Sequence, residues 1–224
     1  MNSSNVIDSL VNRHKPYRKL PGPGRRAMIW LALSLCWISL WIGYFGFRPD
    51  LNEKLREPKF LFDSTFSLCL CLFAIWATFV MSVPGLGKKR IISRLILGST
   101  WVWIAITLIG ELLSHGSLTQ NFAPGPGLHC VRNILGMSLI PAPVLFIMIR
   151  KAAPLRPLFS GALAMLAVGS LAAFATQLIC RYDFPMHFLV WHFLPILTLL
   201  IVGRWLGSRF LKWPVSSSKP SLFE

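Results

Sequence analysis

Charge is what this chain has least of: 14% of its 224 residues are Asp, Glu, Lys or Arg, against about 25% in soluble domains. Acidic residues are the scarcer kind, eight against 23 Lys and Arg. Its five cysteines include no Cys-x-x-Cys pair, which argues against both a disulfide scaffold and a zinc ribbon. No ionisable Asp, Glu, Lys or Arg falls at the centre of a long apolar run, where the relay groups of a proton-coupled transporter would sit. No internal repeat suggests a transporter built of inverted halves. The first apolar run, at roughly 20 residues, is longer than a signal-peptide core, and no small-x-small cleavage site follows it before Arg48, so it reads as a retained span.

Apolar surface is abundant instead. Hydrophobic residues make up 54% of the chain and the mean hydropathy is +0.58, an excess that only a lipid solvent accommodates. A spanning helix needs about 20 mostly apolar residues. Six runs approach this: 27–47, 60–83, 91–113, 133–149, 158–179 and 185–206. The expected fold is therefore an all-α membrane protein, a bundle of six transmembrane helices. Residues 1–26 form a basic arm, 27–206 the six-span domain and 207–224 a tail. The fourth run is short and holds Pro141 and Pro143; a kinked span is tolerated where neighbouring helices satisfy the freed carbonyls.

The basic residues set the orientation. Seventeen Lys and Arg lie in the arm, the second and fourth loops and the tail, and six (Arg48, Lys54, Arg56, Lys59, Arg132, Arg181) on the other side. By the positive-inside rule both termini are cytoplasmic. Six of the acidic residues fall on or near the outer side, so the formal net charge of +15 faces inward. These cations come in short clusters between apolar runs, not along one face, so direct nucleic-acid binding is not expected. Trp30, Trp41, Trp101, Trp103, Trp191, Trp205 and Trp213 fall mostly near span ends, as interfacial anchors would. Small residues crowd 160–175, which marks the fifth span as a central packing helix, and Gly203 and Gly207 offer a contact point on the sixth.

Cys130 precedes the fourth run and Cys180 follows the fifth. Those two runs, joined by a short loop, should be antiparallel neighbours, which brings the two thiols close together at the outer face. There they are either a disulfide or sensor pair in an oxidising compartment or small interfacial residues without chemistry. Cys36, Cys69 and Cys71 lie inside spans and read as small hydrophobes. His115, His129 and His187 gather near the same outer end, and Cys130, Cys180, His129 and His187 could together hold a soft divalent metal; the plainer alternative is imidazoles meeting water or headgroups. His187 and His192 are about 140° apart on an α-helix and would not share a ligand easily.

In the arm, Val6, Ile7, Leu10 and Val11 recur at helical spacing beside polar residues, so residues 3–12 can form a short amphipathic helix. Pro16, Pro21 and Pro23 then impose an extended linker. A helix this short is marginal in water. It gains stability by docking, either on the anionic lipid surface or on a cytosolic protein.

The whole chain resembles the NrsF-type anti-sigma factors, six-span bacterial inner-membrane regulators of extracytoplasmic-function sigma factors. The resemblance rests on Val6-Ile7-Asp8-Ser9-Leu10, residues 16–21 (PYRKLP) before Arg25-Arg26, and Gly46-Phe47-Arg48-Pro49-Asp50-Leu51. It continues through residues 152–157 (AAPLRP), Gly161-Ala162-Leu163, Cys180, residues 186–192 (MHFLVWH) and Leu211-Lys212-Trp213. It implies a cytoplasmic arm that captures the sigma factor, with Val6, Ile7, Asp8, Leu10, Val11, Pro16 and Arg18 as contact residues. It also implies that Cys130 and Cys180 take part in the response to a periplasmic signal. On this reading the protein is not an enzyme and carries no resident cofactor beyond a metal transiently bound at the outer thiols; sigma factor and lipids are its partners. The alternative is a membrane thiol oxidoreductase using quinone. Such enzymes usually need a second redox pair, for which Cys69-x-Cys71 is a poor substitute.

Overall fold

The computed structural model of the protein describes residues 20–82, 89–113 and 124–212. The proposed contact residues Val6, Ile7, Asp8, Leu10, Val11, Pro16 and Arg18, together with His115, lie outside that set. The described chain is helical throughout, with no strand among the described residues. Its elements are α1 (Pro23–Phe45), α2 (Leu51–Lys54), α3 (Pro58–Met81), α4 (Lys89–Leu113), α5 (Pro124–Ser138), α6 (Pro141–Arg150), α7 (Pro157–Gln177), α8 (Pro185–Phe188) and α9 (Leu194–Phe210), with a π-helical turn at Leu189–Phe193 between the last two. Proline opens α1, α3, α6, α7 and α8, where its missing N–H is one the first turn leaves unpaired anyway.

Among the described residues six stretches are long and apolar enough to cross a membrane: Pro23–Phe45, Pro58–Met81, Arg90–Gly110, Gly127–Arg150, Pro157–Gln177 and Pro185–Phe210. The fourth differs from expectation. It starts at Gly127, not at 133, and it is broken at Leu139–Ile140, between α5 and α6. Pro141 explains the break, since it removes one helical hydrogen bond and its ring crowds the carbonyl of Met137. Helix α1 supplies donors at the break. The Trp37 indole donates to the Gly136 carbonyl at 3.1 Å and the Trp30 indole to the Pro141 carbonyl at 2.9 Å.

Helix α7 is the hub. Its apolar window is 78% buried, against 17% for that of α4, because Gly, Ala and Ser leave neighbouring helices room to close in. A methyl group on Gly161 would overlap the Gly203 carbonyl of α9, and one on Gly203 would overlap the Gly161 carbonyl. Two of the tryptophans expected at the interface belong to this core instead: Trp30 is fully buried, and Trp103 is buried with its indole donating to Asp63 at 3.1 Å. Each had a buried acceptor to reach, which outweighs the attraction of the interface. Ser64, Ser67 and Gln177 close a second buried polar chain at 2.7 and 3.2 Å.

The bundle has two distinct ends. At one, Arg26 at the start of α1 donates to the Met148 carbonyl of α6 and lies 4.4 Å over the Phe79 ring of α3. At the other, the end of α1, the start of α3, the start of α5 and the non-helical residues after α7 converge.

Candidate functional site

The converging end holds the chemistry. Helix α7 stops at Gln177, and the chain then turns through a Cys180 N–H to Thr176 carbonyl bond of 2.8 Å. This sets Cys180 against the first turns of α5, where Cys130 sits. The sulfurs are 3.3 Å apart, with Cys130 donating to Cys180. That is a hydrogen-bonding distance and about 1.3 Å longer than a disulfide bond. Cys130 thus lies inside a helix, not before it, because α5 begins nine residues earlier than the hydropathy run suggests.

His187 completes a triangle, its Nε2 standing 3.5 Å from each sulfur. His192 joins it, against the expectation drawn from α-helical geometry. The two rings are 5.6 Å apart, centroid to centroid. The π turn is the cause: its hydrogen bonds run over five residues, as in Leu194 N–H to the Leu189 carbonyl, so a residue five along returns to the same face. Pro195 in the first turn of α9 accounts for the widening, since an α-helix would need its absent N–H and would press its ring on the Trp191 carbonyl.

The donor atoms of Cys130, Cys180, His187 and His192 all lie within 4.8 Å of one another, and all four residues are buried. His129 does not join them. One residue from Cys130 on α5, it points outward and is exposed, lining an open cavity of about 420 Å³ with Arg132, Arg181 and the two thiols. On the opposite flank Cys180 and His192 border a smaller polar cavity of about 60 Å³ shared with Glu57, Lys59, Asp63 and Asp183, room for a few water molecules.

The donor set fits a soft or borderline divalent cation. Two sulfurs and two imidazole nitrogens at tetrahedral bond lengths of about 2.0–2.3 Å would stand about 3.3–3.8 Å apart, which asks the sulfurs, now at 3.3 Å, to open slightly and the rest of the cluster, within 4.8 Å, to close. Among the described residues neither ring nitrogen of His192 has a partner in hydrogen-bonding geometry although the residue is 1% exposed, its ring only approaching the Cys180 thiol closely enough to help Cys130 hold it down, and a buried polar group left so is costly unless something occupies it. The sulfur spacing equally admits oxidation of the pair. The hydrogen bond from Cys130, aided by His187, holds the Cys180 thiol below its ordinary pKa against the opposing effect of burial, which favours the thiolate that both reactions need.

An ion-pair cluster frames the site. Arg48, just after α1, forks onto Asp50 (2.8 and 2.8 Å) and Asp183 (2.6 and 2.7 Å). Lys54 lies 3.1 Å from Asp183, and Lys59 donates to the Asp183 carbonyl at 2.9 Å. Burial opposes the charge on Arg48, yet hydrogen bonds and attraction from Asp50 and Asp183 raise its pKa overall. The hydrogen bonds from Arg48 hold the Asp50 carboxyl down to about 2, and Glu57 and Asp183 raise Lys54 against partial burial. Sequence reasoning missed His192 and Arg48 as site residues. The signals were a proline three residues after His192, which breaks α-helical spacing, and an Arg-Pro-Asp turn in a chain poor in acid. The other thiols are apart from the site: Cys36 and Cys69 face outward and Cys71 is buried in the core.

Comparison with known proteins places this architecture. The family model described as NrsF, negative regulator of sigma F, matches residues 10–213. The anti-sigma-F factor NrsF of Caulobacter vibrioides (strain NA1000 / CB15N) is 26% identical over 203 residues, which cover 86% of this chain and 91% of that protein. No solved structure matches. With a family match running from the arm to the end of the last helix, the chain belongs to the NrsF family of negative regulators of sigma F.

Proposed function

We propose that this protein is a membrane-bound anti-sigma factor of the bacterial inner membrane. It holds an extracytoplasmic-function sigma factor through its cytoplasmic arm and releases it when a periplasmic signal reaches Cys130 and Cys180. The signal is an oxidant or a soft divalent metal. The observation that carries this reading is the buried meeting of two thiols and two imidazoles at the end of the bundle opposite Arg26, where the arm joins. Family membership supports a sigma factor as the partner, and regulators of this kind act by binding, not catalysis.

Both termini lie in the cytoplasm on this reading, so the thiol site faces the periplasm. In the arm, Val6, Ile7, Leu10 and Val11 offer the apolar face to sigma, while Asp8, Pro16 and Arg18 fix the approach. Metal capture would re-space Cys130 of α5 and Cys180, His187 and His192 of the segments around α8, and so change how the fourth, fifth and sixth spans pack. Cys130 and Cys180 supply thiolates for the ion, His187 and His192 its nitrogen ligands.

The test is affinity capture of the intact protein in detergent. Co-purification of a sigma factor that is lost on deleting residues 5–18 supports the arm. Release by diamide or cadmium in the native protein, absent from Cys130→Ser and Cys180→Ser, supports the sensor. Release that persists in both serine variants refutes it, and reduction of a quinone at the expense of a dithiol would replace regulation with catalysis.

A further inference from the structure

Residues 178–184, which carry Cys180, form no helix; the Cys180 N–H still bonds the Thr176 carbonyl at the end of α7 at 2.8 Å, but beyond that bond the stretch needs other contacts to keep the thiol 3.3 Å from Cys130. One residue holds both ends of the stretch. The Arg48 backbone N–H donates to the Leu178 carbonyl at 3.0 Å, and its guanidinium forks onto Asp183 at 2.6 and 2.7 Å. We infer that Arg48 is the positioning residue of the thiol site, a staple that fastens both ends of the Cys180 segment to the end of α1.

Three features separate this from an ordinary surface ion pair, which contributes little. The Arg48 side chain is 1% exposed, so its charge is withdrawn from water and depends on its partners. Its geometry is the planar two-toothed one that only arginine provides, with Asp50 orienting the same guanidinium from the other side and Phe60 lying 5.6 Å beneath it. The approach also needs Gly46, whose φ of +80° turns the chain out of α1 toward Arg48. Because Arg48 follows α1 directly, the position of Cys180 is tied to the helix whose far end leads to the arm. The meaning of the staple for signalling rests on the sensor reading above. Its test reads thiol reactivity without any sigma factor, so the two fail separately.

The test is site-resolved alkylation of the full-length reduced protein in detergent with N-ethylmaleimide, followed by mass spectrometry. Arg48→Gln is expected to raise the rate at Cys180 on the order of tenfold, the response of a thiol whose protection depends on local opening, while Cys71 in the core stays protected. Arg48→Lys, which keeps the charge and the backbone bond but not the fork, should fall between wild type and Arg48→Gln. Asp50→Asn, which loosens the guanidinium from one side but leaves its fork on Asp183, should raise the rate less than Arg48→Gln does. If Arg48→Gln also exposes Cys71, the milder Asp183→Asn decides, with the same selective rise at Cys180 expected while Lys54→Gln, which removes the other side-chain contact to Asp183, stays within about twofold of wild type. A Cys180 rate within about twofold of wild type in Arg48→Gln with Cys71 protected, or in Asp183→Asn, overturns the inference.

Discussion

Under the proposed sensor function, the energy of a Cys130–Cys180 disulfide sets a ceiling on sigma release. Bond formation needs the two sulfurs, now 3.3 Å apart, to close by about 1.3 Å. The residues are 50 apart in sequence, and in the chain-entropy model closing a loop of that length contributes about 4 kcal/mol. Restraint by a membrane lowers the figure, since the unbonded chain has less freedom to lose. A bond can shift the balance between a sigma-holding and a sigma-releasing state only by its differential stability in the two. The largest change in sigma affinity is therefore roughly a thousandfold, short of the 10⁴-fold that takes an equilibrium from 1:99 to 99:1. The assay is the dissociation constant of sigma for nanodisc-embedded protein, measured with dithiothreitol and after diamide, with Cys130→Ser as the control. A ten- to thousandfold rise in that constant after diamide, absent from the control, is expected. A larger rise, or one that survives in Cys130→Ser, would show that the bond does not drive release.

Cadmium titration followed by the ultraviolet thiolate-to-metal band should yield one ion per chain. His192→Ala should weaken binding by at least the 10–100-fold typical of a lost supporting group, whereas His129→Ala should not change it. Because the thiols must lose protons to bind, affinity should fall as pH is lowered. Gly161→Ala forces backbone against backbone at the α7–α9 crossing and should cost about 1–3 kcal/mol, seen as a lower unfolding temperature in detergent, with the thiol site otherwise reactive as before. Trp37→Phe removes the bond to the Gly136 carbonyl at a cost of about 0.5–1.5 kcal/mol, measurable by the same assay. Acid should leave the Arg48–Asp50 pair intact well below neutrality. Asp50 is depressed to about 2, so its contribution is complete above the ordinary carboxylate range near 3.9 and is lost only as pH falls toward 2. Cys180 alkylation, corrected for the intrinsic pH dependence of thiols, should be unchanged in its protection between about pH 7 and pH 5; a loss of protection there would contradict the assignment.

Much of the fold was readable in advance, and the reason lies in the solvent. Lipid offers no partner for backbone groups, so each span must satisfy its own in a helix, and a count of apolar residues finds it. The approximate closeness of Cys130 and Cys180 followed from the same logic, because a short loop between two spans leaves antiparallel neighbours. Trp30 and Trp103 were misplaced because position along a span does not say which way an indole faces; their acceptors, Pro141 and Asp63, belong to other helices.

Amphipathic patterning, small-residue crowding on α7 and the distribution of charge needed no coordinates. The inventory of the site did. His192 entered because α-helical spacing assumes about 100° per residue, while one widened turn ahead of Pro195 rotates everything before it relative to α9; His129 left because α5 already includes it, and a single step of about 100° turns it away from Cys130 to the exposed face. Arg48 could be assigned to the Cys180 segment only once the chain had folded back to bring Asp183, 135 positions further on, against it. Local rules describe each helix on its own axis; which side chains meet between axes is set by the packing of all of them at once.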